Sequence, residues 1–239
     1  LPIPHGPDSV VGRACSRDAL VRTRCGLERA DKIHVQRGRK AVTSSTSRSG
    51  VNERMSQSRS TDNPTTSNIR ALGDLIPVLG PGAYVDPAAV LIGDVEIGAN
   101  ASIWPGVVVR GDVHKVRIGA ETNIQDGAIC HCTSPHGDHP GFPLLVGARV
   151  TVGHGAVLHA CTIEDEVMIG MRATVMDGAV VESGAFVGAG SLVPPGKHVQ
   201  GGYLWLGIPA RRVRPLDAAE QAQIGESAAH YLRVKARYQ

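Results

Sequence analysis

Three histidines are spaced for metal chemistry. His131 ends the run Asn123-Ile124-Gln125-Asp126-Gly127-Ala128-Ile129-Cys130-His131, and His154 and His159 lie in Val152-Gly153-His154-Gly155-Ala156-Val157-Leu158-His159. Neutral imidazole is a common ligand for zinc and similar divalent ions, and three histidines with one open position make a site that activates water. His154 and His159 are five residues apart, a spacing that suits neither the i, i+4 face of a metal-binding helix nor a tight finger loop. They can serve one site only on a backbone that is not helical. Cys132 and Cys161 are close to the histidines in register and offer a mixed Cys/His structural site as a minor alternative, with no CxxC spacing to support it.

The elements that must carry these residues follow a period of six. Val85, Leu91, Ile97, Ile103 and Val109 are aliphatic at that step, which resumes at Ile118, Ile124 and Cys130, then at Val146, Val152 and Leu158, then from Ile163 through Ile169, Val175, Val181, Val187 and Val193. Neither strand alternation nor a helical stripe has a six-residue step, whereas a hexapeptide β-helix does. Three short strands then make one triangular coil with each in-frame side chain pointing into the prism. The small residue that follows, as at Gly98, Gly119, Gly147, Gly153, Gly170 and Gly188, is expected to allow the tight corner. Chance spacing in a Val/Ile-rich chain does not account for so many in-frame positions.

The interruptions carry information too. Residues 132–143, with Pro135, Gly137, Pro140, Gly141 and Pro143, are expected to leave the coil as a loop without regular structure. Pro194-Pro195-Gly196 is expected to end the coil. Asp217, with Glu220 three residues on, marks the N-cap of a helix running to about Arg237 that lays Ile224, Ala228, Tyr231 and Leu232 against the prism. The expected organisation is a disordered extension over 1–70, a β-helix bearing the metal site over 71–215, and a packed helix over 216–239.

Residues 1–60 hold 12 Lys and Arg against 5 Asp and Glu, so the net charge of +3 divides into a basic start and a mildly acidic remainder. The start is rich in Arg and Ser, but Asp8, Asp18, Glu28 and Asp31 argue against a transit peptide. The first methionine is Met55, and synthesis is expected to begin there; an intact mass of natively expressed protein starting upstream would contradict this. With aromatics at 3% and 29 glycines, the core must be built from Val, Ile, Leu and Ala. No basic stripe interleaved with aromatics points to nucleic acid, and no apolar run is long enough to span a membrane. Cys15, Cys25, Cys130, Cys132 and Cys161 form no regular disulfide framework and no secretory h-region is present, so a reducing cytoplasm is the expected location.

Within the frame, His131 and His159 each directly follow an inward position, Cys130 and Leu158, while His154 lies two after Val152. Successive strand residues point to opposite faces, so one subunit is not expected to bring all three to one ion. A neighbouring prism can supply the third, and a closed trimer with a site at each interface is the natural solution.

The runs Arg110-Gly111-Asp112, Asn123-Ile124-Gln125-Asp126-Gly127, Val150-Thr151-Val152-Gly153-His154, Leu158-His159-Ala160-Cys161, Ile169-Gly170-Met171 and Trp205-Leu206-Gly207-Ile208-Pro209-Ala210 together resemble γ-class carbonic anhydrases and their bacterial hexapeptide-repeat relatives, from about Leu75 to the C-terminus. The resemblance implies an all-β solenoid, a left-handed parallel β-helix with a C-terminal helix, assembled as a homotrimer. It implies a metal held by His131 and His159 of one subunit and His154 of the next, zinc first, with iron or cobalt also found in such sites. It implies reversible hydration of carbon dioxide to bicarbonate by a metal-bound hydroxide, oriented by Gln125, with Arg110, Asp112 and Asp126 in an ionic network across the interface. Two positions depart from the pattern. Val113 stands where the archetypal enzyme has a glutamate, and Ser134-Pro135-His136-Gly137-Asp138-His139 replaces an acidic loop carrying a proton-shuttle glutamate. Loss of the shuttle lowers turnover without harming metal binding; His136 or His139 is the candidate substitute, against a reading as solvated loop histidines. Arg172 stands where relatives usually carry glycine, and Tyr203 is either a pocket edge or a packed aromatic. The competing readings are a catalytically weak or inactive metal-binding structural trimer, and a hexapeptide-repeat acyltransferase using acyl-CoA.

Overall fold

The computed structural model describes residues 67–239. The expected start at Met55 lies outside these residues, as does all but the end of the expected disordered extension. That end corrects the expectation: Ile69–Arg70 is a strand, paired in parallel with Leu91 and Ile92.

The six-residue period is a parallel β-solenoid matching a left-handed β-helix. One face stacks Tyr84–Val85, Ser102–Ile103, Asn123–Ile124, Thr151–Val152, Met168–Ile169, Phe186–Val187 and Tyr203–Leu206. The second stacks the first halves of Val90–Ile97 and Val108–Ile118 on Ile129–His131, Val157–His159, Thr174–Val175 and Leu192–Val193. The third stacks the second halves of those long strands on Leu144–Val146, Thr162–Ile163, Val180–Val181 and His198–Val199. Leu91, Ile103, Val109, Ile124, Cys130, Val152, Leu158, Ile169 and Val175 are all fully buried along the prism axis. Burying each such aliphatic side chain contributes roughly 1.5–3 kcal/mol.

Three expectations are corrected by the register. The glycines after the in-frame residues do not turn the corner. They let the next coil approach: a Cβ on Gly119 would stand 2.4 Å from the carbonyl of Gly147, and one on Gly170 would stand 2.4 Å from the amide of Ala189. The left-handed corner residues come two positions later, as at Gly155 (φ 66°) and Glu121 (φ 59°). Nor does the coil end at Pro194. Val199 and Trp205 continue the six-residue step, pairing with Val181 and Val187, because Pro194 to Lys197 form only a turn, with the Lys197 amide on the Pro194 carbonyl. The solenoid is closed by Arg211–Pro215, antiparallel to Tyr203–Leu206. Finally, residues 132–143 are ordered as a narrow hairpin, with antiparallel bridges at Thr133–Phe142 and His136–His139. Gly141, at φ 76°, lets its backbone pass where a Cβ would stand 2.4 Å from the Thr133 carbonyl.

The helix α1 spans Ala218–Lys235 and begins with the expected capping box: the Glu220 amide donates to the Asp217 side chain and the Asp217 amide to the Glu220 carboxylate. Ile224 and Ala228 are buried. Tyr231 and Tyr238 join Tyr84 and Trp104 in an aromatic cluster with centroids 5.1 to 6.0 Å apart. The far end is fixed by Lys235, whose buried ammonium donates to the carbonyls of Gly82 (2.6 Å) and Asn100 (3.3 Å). Among the described residues, no helix is long and apolar enough to cross a membrane.

Candidate metal centre

Registration of the second face brings two of the three histidines together. Arg110, His131 and His159 occupy the same position in successive coils, so their side chains stack along the prism. His131 Nδ1 and His159 Nε2 lie 3.2 Å apart. Each ring has a carboxylate on its other nitrogen: Asp112 Oδ1 is 2.9 Å from His131 Nε2, and Asp177 Oδ1 is 2.6 Å from His159 Nδ1. A neutral imidazole that donates to a carboxylate through one nitrogen presents a lone pair at the other. With both rings neutral and each donating to its carboxylate, two lone pairs face each other, and a cation between them relieves the repulsion. Two nitrogens on one tetrahedral zinc at about 2.0–2.1 Å stand roughly 3.3–3.4 Å apart, so the pair fits as one edge of such a site.

The carboxylates are themselves held. Arg110 pairs with Asp112, and the Thr133 hydroxyl donates to Asp177 Oδ2. Burial pushes the pKa of both acids up, but the hydrogen bonds, from His131 and Arg110 at Asp112 and from Thr133 and His159 at Asp177, outweigh it and hold both below the usual carboxylate range. Both are charged at neutral pH. The sequence reading named Asp112 but missed Asp177 and Thr133. Asp177 follows in-frame Val175 by two residues, as His154 follows Val152, and that register was the available signal.

His154 lies elsewhere, on the corner between the first and second faces, about half exposed, with Nδ1 2.9 Å from Asp126 Oδ2. Among the described residues the three histidines form no common cluster; the group of potential ligands within reach of one another is Asp112, His131 and Cys132. Cys132 is a poor thiolate there. Burial raises its pKa, and its Sγ lies 3.0 Å from the His114 carbonyl, as a protonated donor would. Burial likewise pushes the thiol of Cys130 up to about 12 and raises that of Cys161, both in the prism core.

Gln125 belongs with His154. The two line one groove of about 350 Å³ together with Met171, Phe186, Gln223 and Ser227. Gln125 is 6% exposed and donates through Nε2 to Asn123 Oδ1 at 3.1 Å. Asn123 donates to Thr151 Oγ1 (2.9 Å), which donates to Ser227 on α1 (2.9 Å). The residues singled out by the sequence thus form two groups on one chain: Arg110, Asp112, His131 and His159 on the second face, and Gln125, Asp126 and His154 at the corner. Tyr203 packs on the core under the Arg212 guanidinium, 4.7 Å from its ring centroid, and does not line the groove. Arg172 has φ 56° and donates its amide to the His154 carbonyl at 2.9 Å. That left-handed conformation is the backbone reason for glycine at this corner; nothing in the structure gives the guanidinium a role.

The family described as "Bacterial transferase hexapeptide (six repeats)" matches residues 76–111. The chain is 46% identical over 158 residues to Gamma carbonic anhydrase 1, mitochondrial, of Arabidopsis thaliana, covering 66% of this chain but only 58% of the plant protein's length. It is 42% identical over 157 residues to the "Probable carbonic anhydrase" of Methanocaldococcus jannaschii, covering 66% of this chain and 95% of that protein. The solved structure of a hexapeptide transferase family protein from Anaplasma phagocytophilum superposes with a TM-score of 0.67 at 38% identity, over 72% of this chain and 98% of that one.

Proposed function

This chain belongs to the γ-carbonic anhydrase-like family of hexapeptide-repeat proteins, and from that premise we propose that it is a metal-dependent lyase interconverting carbon dioxide and bicarbonate as a homotrimer. The observation that carries the reading is the facing pair of imidazole nitrogens on His131 and His159, each ring backed by a carboxylate. His131 and His159 of one subunit would hold the ion with His154 of the next, whose Nε2 is left over once Nδ1 meets Asp126. Zinc suits three imidazoles and an open fourth position, with iron or cobalt as alternatives. Bound there, the ion supplies the Lewis acidity that makes a water oxygen nucleophilic near neutral pH.

The chain's own residues do the rest. Asp112 and Asp177 fix the tautomers, so that each ring offers a lone pair. Gln125 orients the attacking water, one end of its amide anchored on Asn123 and the whole side chain uncharged, so that it does not compete for the ion. Arg110, Asp112 and Asp126 would form the ionic network across the subunit boundary. Val113 is exposed and offers no carboxylate for proton export. His139 is engaged, its Nδ1 accepting from the Gly141 amide and its ring packed on Phe142, which leaves exposed His136 as the better proton carrier. Turnover slower than in an enzyme with both glutamates follows. A reducing cytoplasm is the location proposed, since the five cysteines form no regular disulfide framework.

The test is zinc content per chain of purified protein, wild type beside His154→Ala, with carbon dioxide hydration assayed on the same samples. About one zinc per chain, lost together with hydration in the variant, supports the enzyme. Zinc without hydration leaves a structural metal-binding trimer, and chelator-insensitive turnover of a coenzyme A thioester would replace the reading with an acyltransferase.

A further inference from the structure

We propose that the 132–143 hairpin is a positioning device for a metal ligand: Thr133 holds Asp177, and Asp177 holds His159. The inference rests on reading His159 as a ligand, and goes beyond it by giving Asp177 and the hairpin a role. Asp177 commits one oxygen to each neighbour, Oδ1 to His159 Nδ1 at 2.6 Å and Oδ2 to the Thr133 hydroxyl. The carboxylate therefore cannot rotate toward one partner without leaving the other.

Thr133 is fixed in turn. Its amide donates to the Phe142 carbonyl at 3.0 Å, and the Phe142 amide returns a bond to the Thr133 carbonyl at 3.2 Å. The Phe142 ring lies over Gly178, where a Cβ would come within 3.1 Å of it. The hairpin base thus grips Asp177 by a hydroxyl and the next residue by an aromatic face. His131 is served in a parallel way, its Asp112 held by Arg110. An imidazole needs both its tautomer and its ring rotation set before it can present a lone pair at a fixed point. Carboxylates on the remote nitrogen set both, and their removal typically costs 10–100-fold in metal affinity.

Zinc affinity, measured by competition with a chromophoric chelator on the full chain, tests this in wild type, Asp177→Ala, Asp177→Asn, Thr133→Val and the double variant Thr133→Val/Asp177→Ala. Asp177→Ala is expected to weaken zinc binding about 10–100-fold. Asp177→Asn, which keeps an acceptor for Nδ1–H, is expected to recover most of that loss. Thr133→Val is expected to weaken binding by a few-fold, and the double variant to bind no more weakly than Asp177→Ala, because Thr133 acts through Asp177. Should Asp177→Ala not fold, Thr133→Val carries the test. Unchanged affinity in Asp177→Ala, or in Thr133→Val where Asp177→Ala does not fold, with wild type binding zinc, overturns the positioning role and leaves the metal site standing. Additive losses in the double variant overturn the relay, and a wild type that binds no zinc overturns both inferences.

Discussion

At the scale of single residues, the site is two imidazoles whose free nitrogens converge and an amide held apart from them by the fold. Gln125 is the sharpest case. Truncating it to alanine removes the group proposed to orient water and leaves Asn123 Oδ1 without its donor, a cost of about 1–3 kcal/mol for a buried acceptor. The expected outcome is turnover lower by roughly 10–100-fold with zinc content unchanged, measured on the same preparation; loss of zinc would mean that Gln125 supports the ligands instead. The histidines were legible because residue type and spacing together named them, and Gln125 and Asp112 only through the resemblance to γ-class carbonic anhydrases. Asp177 was not, because its partners sit 18 and 44 residues upstream, with the hairpin between Thr133 and the resumed frame. The lysine that clamps α1 was invisible for the same reason: nothing local to Lys235 says that Gly82 and Asn100 will stand beside it.

At the scale of elements, the six-residue step declared the strands, but the meaning of its glycines depended on the neighbouring coil. Gly119→Ala places a methyl against the Gly147 backbone, which can yield only by parting two coils. Gly127→Ala meets nothing within 4 Å and suffers only from its φ of 69°. Urea unfolding is expected to find Gly119→Ala destabilised beyond the ~1–3 kcal/mol of ordinary overpacking, and Gly127→Ala by about 1–2 kcal/mol. Equal losses would contradict the stacking role. The helix cap was legible in full, and it carries a pH dependence. Arg214 and the Asp217 amide hold the Glu220 carboxyl down at about 2, below its ordinary 4.5. A depressed acid stabilises the fold fully above its unfolded pKa, and that contribution is lost as pH falls from about 4.5 through 2. The stability gap between wild type and Glu220→Gln should therefore be open at pH 7, narrow in acid, and shrink in high salt because the pair is exposed. A gap that widens in acid would contradict the assignment.

At the scale of the whole molecule, one chain carries the proposed ligands in two separate groups. The second face offers His131 and His159, the next corner offers His154, and within one chain these do not meet. The six-residue step predicted that separation, since His154 follows its inward residue by two positions and the others by one. What the step could not supply is the relation between chains, which is a matter of surfaces and not of register. The most direct measurement is zinc content after co-expression of His154→Ala with His131→Ala chains, beside each variant alone. Each variant alone is expected to be empty. In mixed trimers a site forms wherever a His154→Ala chain gives its intact His131 and His159 to a neighbour that supplies His154, which for random mixing restores roughly a quarter of the sites. Zinc retained by either variant alone, or none regained in the mixture, would contradict a site shared between subunits.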